Sequence, residues 1–216
     1  MDLTVLGATG GVGGQLVRQA LAAGHTVTAV VRDASRFDRG DGADRAGLRV
    51  AVVPDVTDPG ALRPVVDGRD AVLSGLGPPG RGGAGIASAG TAAILDAMAA
   101  TGVRRVLVVS AAPVGPVPPG DGLIQRAVAF PLLRAILKDV YADLARMEGL
   151  LRSSGTDWTA VRPPRLTDGP LTGQFRTAVG GAVANARTIS RADTARAMLV
   201  ALEDPETYKQ PLGIAY

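Results

Sequence analysis

Seven residues near the start of the chain, Gly7-Ala8-Thr9-Gly10-Gly11-Val12-Gly13, restrict its fold more than any other feature. They follow an apolar run at 3–6 and open a stretch, 12–23, in which Val12, Leu16, Val17, Ala20 and Leu21 recur at helical spacing. A turn without Cβ atoms between a strand and a helix lets another group come close to the backbone. The N–H groups of the helix N-terminus favour an anion there, so the pattern predicts a cradle for a dinucleotide pyrophosphate. A glycine-rich turn that only reverses the chain is the alternative, and spacing alone does not decide between them.

The strand-helix pattern then repeats. Residues 26–31 are continuous and β-branched, as in a buried parallel strand, and complete a βαβ unit at Arg32. A strand at 48–53, a helix at 59–66 beginning on Pro59, and a strand at 71–74 follow. Next come a helix at 86–100, a strand at 106–110, a helix at 140–153 and a strand at 158–161. Beyond Arg162-Pro163-Pro164 the pattern loosens to a short strand at 187–189 and a helix at 191–202, which Ser190 is placed to cap. Six alternations predict an α/β fold: a Rossmann-type, doubly wound parallel sheet with helices on both faces, in one domain over residues 1–216. Loops at about 77–85, 111–138 and 162–187 are positioned to border a site.

Composition narrows the chemistry. Aromatic residues are 3% of the 216 residues, so stacking platforms for nucleic acid are scarce and the core must come from Val, Leu, Ile and Ala. The net charge of +3 is spread along the chain without a basic run, which suits an anionic small molecule better than a polyanion. With no cysteine, and with His25 as the single histidine, there is no thiolate nucleophile and no Cys/His metal cluster, so redox chemistry has to come from a bound cofactor. Mean hydropathy is +0.20, yet a charge breaks every apolar stretch before it could span a membrane. The chain starts directly on a strand pattern without a signal segment, and a cytoplasmic monomer or homodimer acting on a small molecule is expected.

At the end of the second strand, where an acidic residue would bind the adenosine ribose, the chain carries Arg32, with Arg36 one turn on. Two guanidiniums favour a 2′-phosphate, hence NADP, while Asp33 beside them keeps NAD open and two solvated arginines are the plain alternative.

The spacing Gly-x-x-Gly-x-x-Gly with Ala8-Thr9 resembles the extended and atypical short-chain dehydrogenase/reductases. More specifically, EGLLRSSGTDWTAVRPPRLTDGPLTG at 148–173, with VRDASR and RTISRADTARAML, is similar to the NmrA-related, NAD(P)H-binding group that includes biliverdin-IXβ reductase, also called NADPH flavin reductase. The resemblance implies cofactor contacts at Gly7, Thr9, Gly10, Gly11, Val12 and Gly13. It also implies Asp55 and Val56 at the adenine, and Gly75 and Leu76 along the ribose and diphosphate. Ser110, Ala111, Pro163 and Pro164 would lie beside the nicotinamide. For Asp55-Val56-Thr57-Asp58 the residues themselves leave a second account open, with Asp55 turning the chain and Asp58 capping the Pro59 helix.

Many short-chain reductases pair a tyrosine with a lysine four residues later to set the phenol's acidity. Here Tyr141 is followed by Ala145, Tyr208 by Leu212, and Tyr216 is the last residue given. Flavin and linear tetrapyrrole acceptors can take their proton from water, so the resemblance implies an NADPH-dependent reductase acting on such a conjugated molecule, with Ser110 as a positioning residue. A non-catalytic, NmrA-like NADP-binding sensor is the alternative that the missing pair permits. The apolar residues Leu123, Ile124, Val128, Phe130, Leu132, Leu133, Ile136 and Leu137 are expected to form a substrate lid, a subunit contact or part of the core. Glu148 and Arg152, four apart, read as a surface ion pair, and Trp158 as core.

Overall fold

The computed structural model describes residues 1–37, 46–77, 85–118 and 135–216. Most of the Gly/Pro loop at 77–85, and the apolar residues from Leu123 to Leu133, lie outside them. The first half of the chain builds β1 (Asp2–Leu6), α1 (Gly11–Ala22), β2 (Thr26–Val31), β3 (Leu48–Val52), α2 (Pro59–Val66), β4 (Ala71–Ser74), α3 (Ile86–Thr101) and β5 (Arg105–Val109). The second half adds α4 (Lys138–Ser153), β6 (Asp157–Arg162), β7 (Arg165–Thr167), β8 (Arg176–Val179), β9 (Thr188–Ser190), α5 (Arg191–Leu202) and β10 (Gln210–Ala215).

Eight strands form the main sheet in the order β3-β2-β1-β4-β5-β6-β10-β8. The first seven are parallel, and β8 runs antiparallel on β10 at one edge. Strand β9, read from the sequence at 187–189, does not enter this sheet; it pairs with β7 in a separate two-stranded ribbon. Strands β7, β8 and β10 have no counterpart in the sequence reading, because their three to six residues carry no sustained apolar alternation.

Side chains alternate across the strands, and this divides the interior into two layers. Leu3, Val5, Val27, Ala29, Val31, Leu73, Leu107 and Val161 face α1 and α5, which pack on each other. Leu6, Val30, Val72, Val106, Val108 and Ala160 face the opposite way, toward α2, α3 and α4. Trp158 is buried in this second layer.

Helix ends are satisfied by side chains. Asp58 accepts from the Gly60 N–H at 2.8 Å and caps α2, and Ser190 accepts from the Asp193 N–H at 2.9 Å and caps α5. Asp143, on α4, receives the Ala87 and Ser88 N–H groups at 3.1 and 3.2 Å, capping α3 from a neighbouring helix. At the other end of α5, the buried Arg105 of β5 donates to the carbonyls of Leu202 (3.1 Å) and Ala201 (2.5 Å). Burial pulls its guanidinium down to about 10, so it remains charged at neutral pH.

The chain reverses its direction of growth between β3 and β4. The carboxyl ends of the adjacent strands β1 and β4 therefore open on a crevice where no helix can cross, the position at which open α/β sheets bind ligands.

Candidate cofactor cleft

That crevice is a cleft of about 770 Å³, within the range of small-molecule and cofactor sites. Its floor is the turn between β1 and α1. Gly7 has φ +71°, a left-handed conformation that side chains resist. A Cβ there would lie 2.8 Å from the Gly75 carbonyl carbon and oxygen, so the loops after β1 and β4 touch through bare backbone. Gly13 is tighter still, since its Cβ would stand 2.1 Å from the Gly7 oxygen. These two glycines allow α1 to begin close beneath the strand end. Gly10, at its N-cap, offers no capping side chain, and α1 has no acidic residue in its first turn. The first N–H groups of this helix therefore meet the cleft without a carboxylate of their own helix to answer them.

The walls are set by neighbouring strands. Gly7, Thr9, Gly10, Gly11 and Val12 line one side, and Arg32 stands at the end of β2. Val56 and Thr57, after β3, and Gly75 and Leu76, after β4, line the rest of that half. Gly90 of α3 makes room for Leu76, whose Cδ1 would lie 2.7 Å from a Cβ at that position. At the other end the lining is Val109, Ser110, Leu144 and Leu166, while Arg191 lines the cleft beside Gly11.

Other residues singled out by sequence stand outside the lining. Gly13 is beneath the turn, and Arg36 is exposed in a 3-10 turn, Ala34–Arg36. Asp33 accepts from the Ser35 hydroxyl (2.7 Å) and N–H (2.9 Å), bonds that hold its carboxyl below the ordinary value. Asp55 is occupied in the same manner, by the Thr57 hydroxyl at 2.6 Å and N–H at 2.8 Å, and is likewise lowered. The Pro163 carbonyl accepts from the Ala112 N–H at 2.8 Å, which ties the loop after β6 to the loop after β5. Ala111, Pro163 and Pro164 thus support the end of the cleft, where Leu166 provides the lining surface. Tyr141 packs against the second core layer one turn before Leu144 and does not line the cleft.

Beneath Ser110 lies a charged cluster that corrects the reading of Glu148. Its side chain is 1% exposed, so it forms no surface pair. Arg162, at the end of β6 and 7% exposed, donates Nε and Nη2 to the two Glu148 oxygens at 2.9 and 2.5 Å. The Ser110 hydroxyl donates to Glu148 Oε1 at 2.7 Å. Arg152 adds only a peripheral contact of 3.3 Å from a side chain that is 55% exposed. Gly115 admits the Arg162 guanidinium, because a Cβ there would lie 2.5 Å from Nη1. The Ser110 proton is therefore committed inward, and toward the cleft the hydroxyl presents lone pairs.

The loop around Pro170-Leu171-Thr172-Gly173 is held by another buried carboxylate. Asp193 receives the Thr172 hydroxyl (2.8 Å), the Gly173 N–H (2.8 Å) and the Tyr216 hydroxyl (2.6 Å). This fixes the loop against the first turn of α5, next to Arg191.

A family model described as NAD(P)H-binding matches residues 7–205. The chain belongs to the NAD(P)H-binding family. Among solved structures, this family member is similar to a proposed exported protein of Burkholderia pseudomallei, at 28% identity and a TM-score of 0.80, with all of both chains covered. It is also similar to a proposed NADH-flavin reductase of Streptococcus pneumoniae, at 25% identity and a TM-score of 0.78 over 100% of this chain and 99% of that one. A short-chain dehydrogenase/reductase of Veillonella parvula in complex with NADP shares the fold at 21% identity and a TM-score of 0.79, covering 100% and 94% of the two chains. No helix among the described residues is long and apolar enough to cross a membrane.

Besides apolar lining such as Val109, Leu144 and Leu166, two charged residues of this site were not legible as such in the sequence. Arg191 read only as the start of a helix, and Glu148 only as half of an exposed pair. Neither had a local signal, because their partners lie on other elements.

Proposed function

We propose that this chain is an NADPH-dependent reductase that passes hydride to a flavin, a linear tetrapyrrole or a related conjugated acceptor. The observation that carries the reading is the bare-backbone cradle formed by Gly7, Gly13 and Gly75 beneath the N-terminus of α1, opening on a cleft with Arg32 at one end and Ser110 at the other. Membership of an NAD(P)H-binding family supports the cofactor class. The NADP bound to the Veillonella parvula relative supports the phosphorylated form, and the assignment of the Streptococcus pneumoniae relative supports a flavin acceptor.

The residues present fit such a cofactor. Backbone N–H groups after Gly7 answer the diphosphate. Arg32 answers the 2′-phosphate with charge-assisted bonds, with Arg36 as a second cation in the following turn. Val56 offers an apolar contact for the adenine, while Asp55 holds the turn that presents it. The nicotinamide supplies the hydride when bound.

At the far end Ser110 orients. Its proton points to Glu148, so its oxygen would be free to accept a hydrogen bond from the carboxamide N–H of a bound nicotinamide and orient it. Arg162 keeps Glu148 charged and stationary. Among the described residues that line the cleft there is no His, Asp, Glu, Lys or Tyr; a flavin or tetrapyrrole acceptor can take its proton from water, with positioning supplying most of the rate.

Two measurements on the purified protein test this. Calorimetry with NADPH and NADH must show binding, tighter for NADPH; then NADPH oxidation is followed with FMN, FAD and biliverdin. Binding without turnover on any flavin, quinone or tetrapyrrole would favour the second reading, a dinucleotide sensor, for which the replacement of the expected lysine by Ala145 speaks.

A further inference from the structure

Glycine at position 11 leaves a gap in the cleft wall, and a residue from the last helix fills it. A Cβ on Gly11 would stand 2.3 Å from Cδ and 2.8 Å from Nε of Arg191. Helix packing sets this position, since α1 lies along α5 and Gln19 of α1 donates to the Ala192 carbonyl at 2.9 Å. The Arg191 stem thus lies across the N-terminus of α1, and its guanidinium reaches Asp168, with Nη1 to Oδ1 at 2.6 Å. Asp168 is 89% exposed and Arg191 is 33% exposed.

An ion pair with one partner open to water is weakly held. A diphosphate brought to the same helix terminus carries two charges and accepts charge-assisted bonds in a less solvated place. Among the described residues lining the cleft, Arg32 and Arg191 are the cations, and they stand on different elements, Arg32 at the end of β2 and Arg191 over Gly11.

We propose that Arg191 binds the cofactor's diphosphate, exchanging Asp168 for it when the cleft fills. The inference rests on the reading that the cleft takes a nicotinamide dinucleotide. Because the diphosphate is common to NADP and NAD, Arg191 contributes affinity to both without choosing between them. Asp168 competes with the ligand for the guanidinium and keeps it poised over the turn in the free protein.

The test is calorimetry of NADPH and NADH binding to the full chain and to its Arg191→Gln, Arg191→Lys and Asp168→Asn variants. Arg191→Gln is expected to weaken both dinucleotides by a similar factor, about tenfold or more, with Arg191→Lys in between. Asp168→Asn is expected to tighten both by about two- to fivefold, as the competing charge is removed. The proposal is overturned if Arg191→Gln binds both within about twofold of the unmodified chain. It is equally overturned if Asp168→Asn weakens binding as much as Arg191→Gln does, the mark of a pair that only braces the loop. Failure of the unmodified chain to bind either dinucleotide would defeat the cofactor reading itself, an outcome separate from these.

Discussion

Arg162 grips Glu148 with two parallel hydrogen bonds, 2.9 Å from Nε and 2.5 Å from Nη2, in a place where both side chains are almost closed to water. The pair joins the end of β6 to the middle of α4, and Ser110 hangs from it at the end of β5. Three elements therefore meet on one carboxylate directly below the cleft.

Removal of the arginine leaves that carboxylate buried with only the Ser110 hydroxyl and the peripheral Arg152 as partners. Arg162→Leu is expected to cost about 3–5 kcal/mol, measured by urea unfolding, because an uncompensated charge stays in a low-dielectric site. The double variant Glu148→Leu/Arg162→Leu should recover most of the loss. If the single variant is as stable as the parent, the pair is not the brace described here.

Ser110→Ala leaves Glu148 with both bonds from Arg162, so stability should fall by about 1.5–3 kcal/mol, less than for Arg162→Leu. Turnover of NADPH with a flavin is expected to drop several-fold without a change in its pH profile, since the hydroxyl positions and does not transfer a proton. A profile that loses a limb in the variant would assign Ser110 a proton-transfer role instead.

Arg32→Ala is expected to raise the Kd for NADPH by at least about tenfold, with little effect on NADH, through loss of a charge-assisted contact worth roughly 1.5–3 kcal/mol. Equal weakening of both dinucleotides would place the 2′-phosphate elsewhere.

Two neighbouring glycines should respond in opposite directions. In Gly13→Ala the new carbon meets the Gly7 oxygen at 2.1 Å, backbone against backbone, and the turn must deform. A loss of about 1–3 kcal/mol or more is expected, with both dinucleotides binding at least tenfold more weakly. In Gly14→Ala the nearest atom is the Ala8 oxygen at 3.4 Å, an ordinary contact inside a helix. That variant should bind normally and gain about 0.5–1 kcal/mol. Thermal melts with and without NADPH compare the two.

Asp193 should make the loop at 170–173 acid-sensitive. Burial alone would raise its carboxyl, but bonds from the Tyr216 hydroxyl, the Gly173 N–H and the Thr172 hydroxyl and N–H hold it below the usual value. A lowered native pKa contributes stability that is complete above the unfolded carboxyl's value of about 3.9 and is lost as pH falls below it toward the native one. Urea unfolding of the parent should therefore weaken more steeply below about pH 4 than that of Asp193→Asn, which is less stable at pH 7 but flatter. Identical slopes would remove Asp193 as the cause.

The parts of the fold legible in advance share one property. The turn at 7–13, the helices from Pro59 and Arg191, and the Asp58 and Ser190 caps each depend on residues within a few positions of one another, so spacing and residue type suffice. Strand β10, Gln210–Ala215, had no such signal: it contains Pro211 and Gly213, and a Cβ on Gly213 would meet the Gly181 oxygen at 2.8 Å. It is a strand because β6 and β8 flank it.

The amino-acid order by itself determined a βαβ alternation, a glycine turn at the first strand end and a cation at the second, since backbone conformation and amphipathic period are local properties. Which charges are buried, and which are brought to the cleft, was decided only by tertiary packing. Glu148 became an internal anion because α4 lies over β6, and Arg191 came to cover Gly11 because α5 lies along α1. The energy of a charge depends on its solvent and its partners, and neither is specified until distant segments have docked.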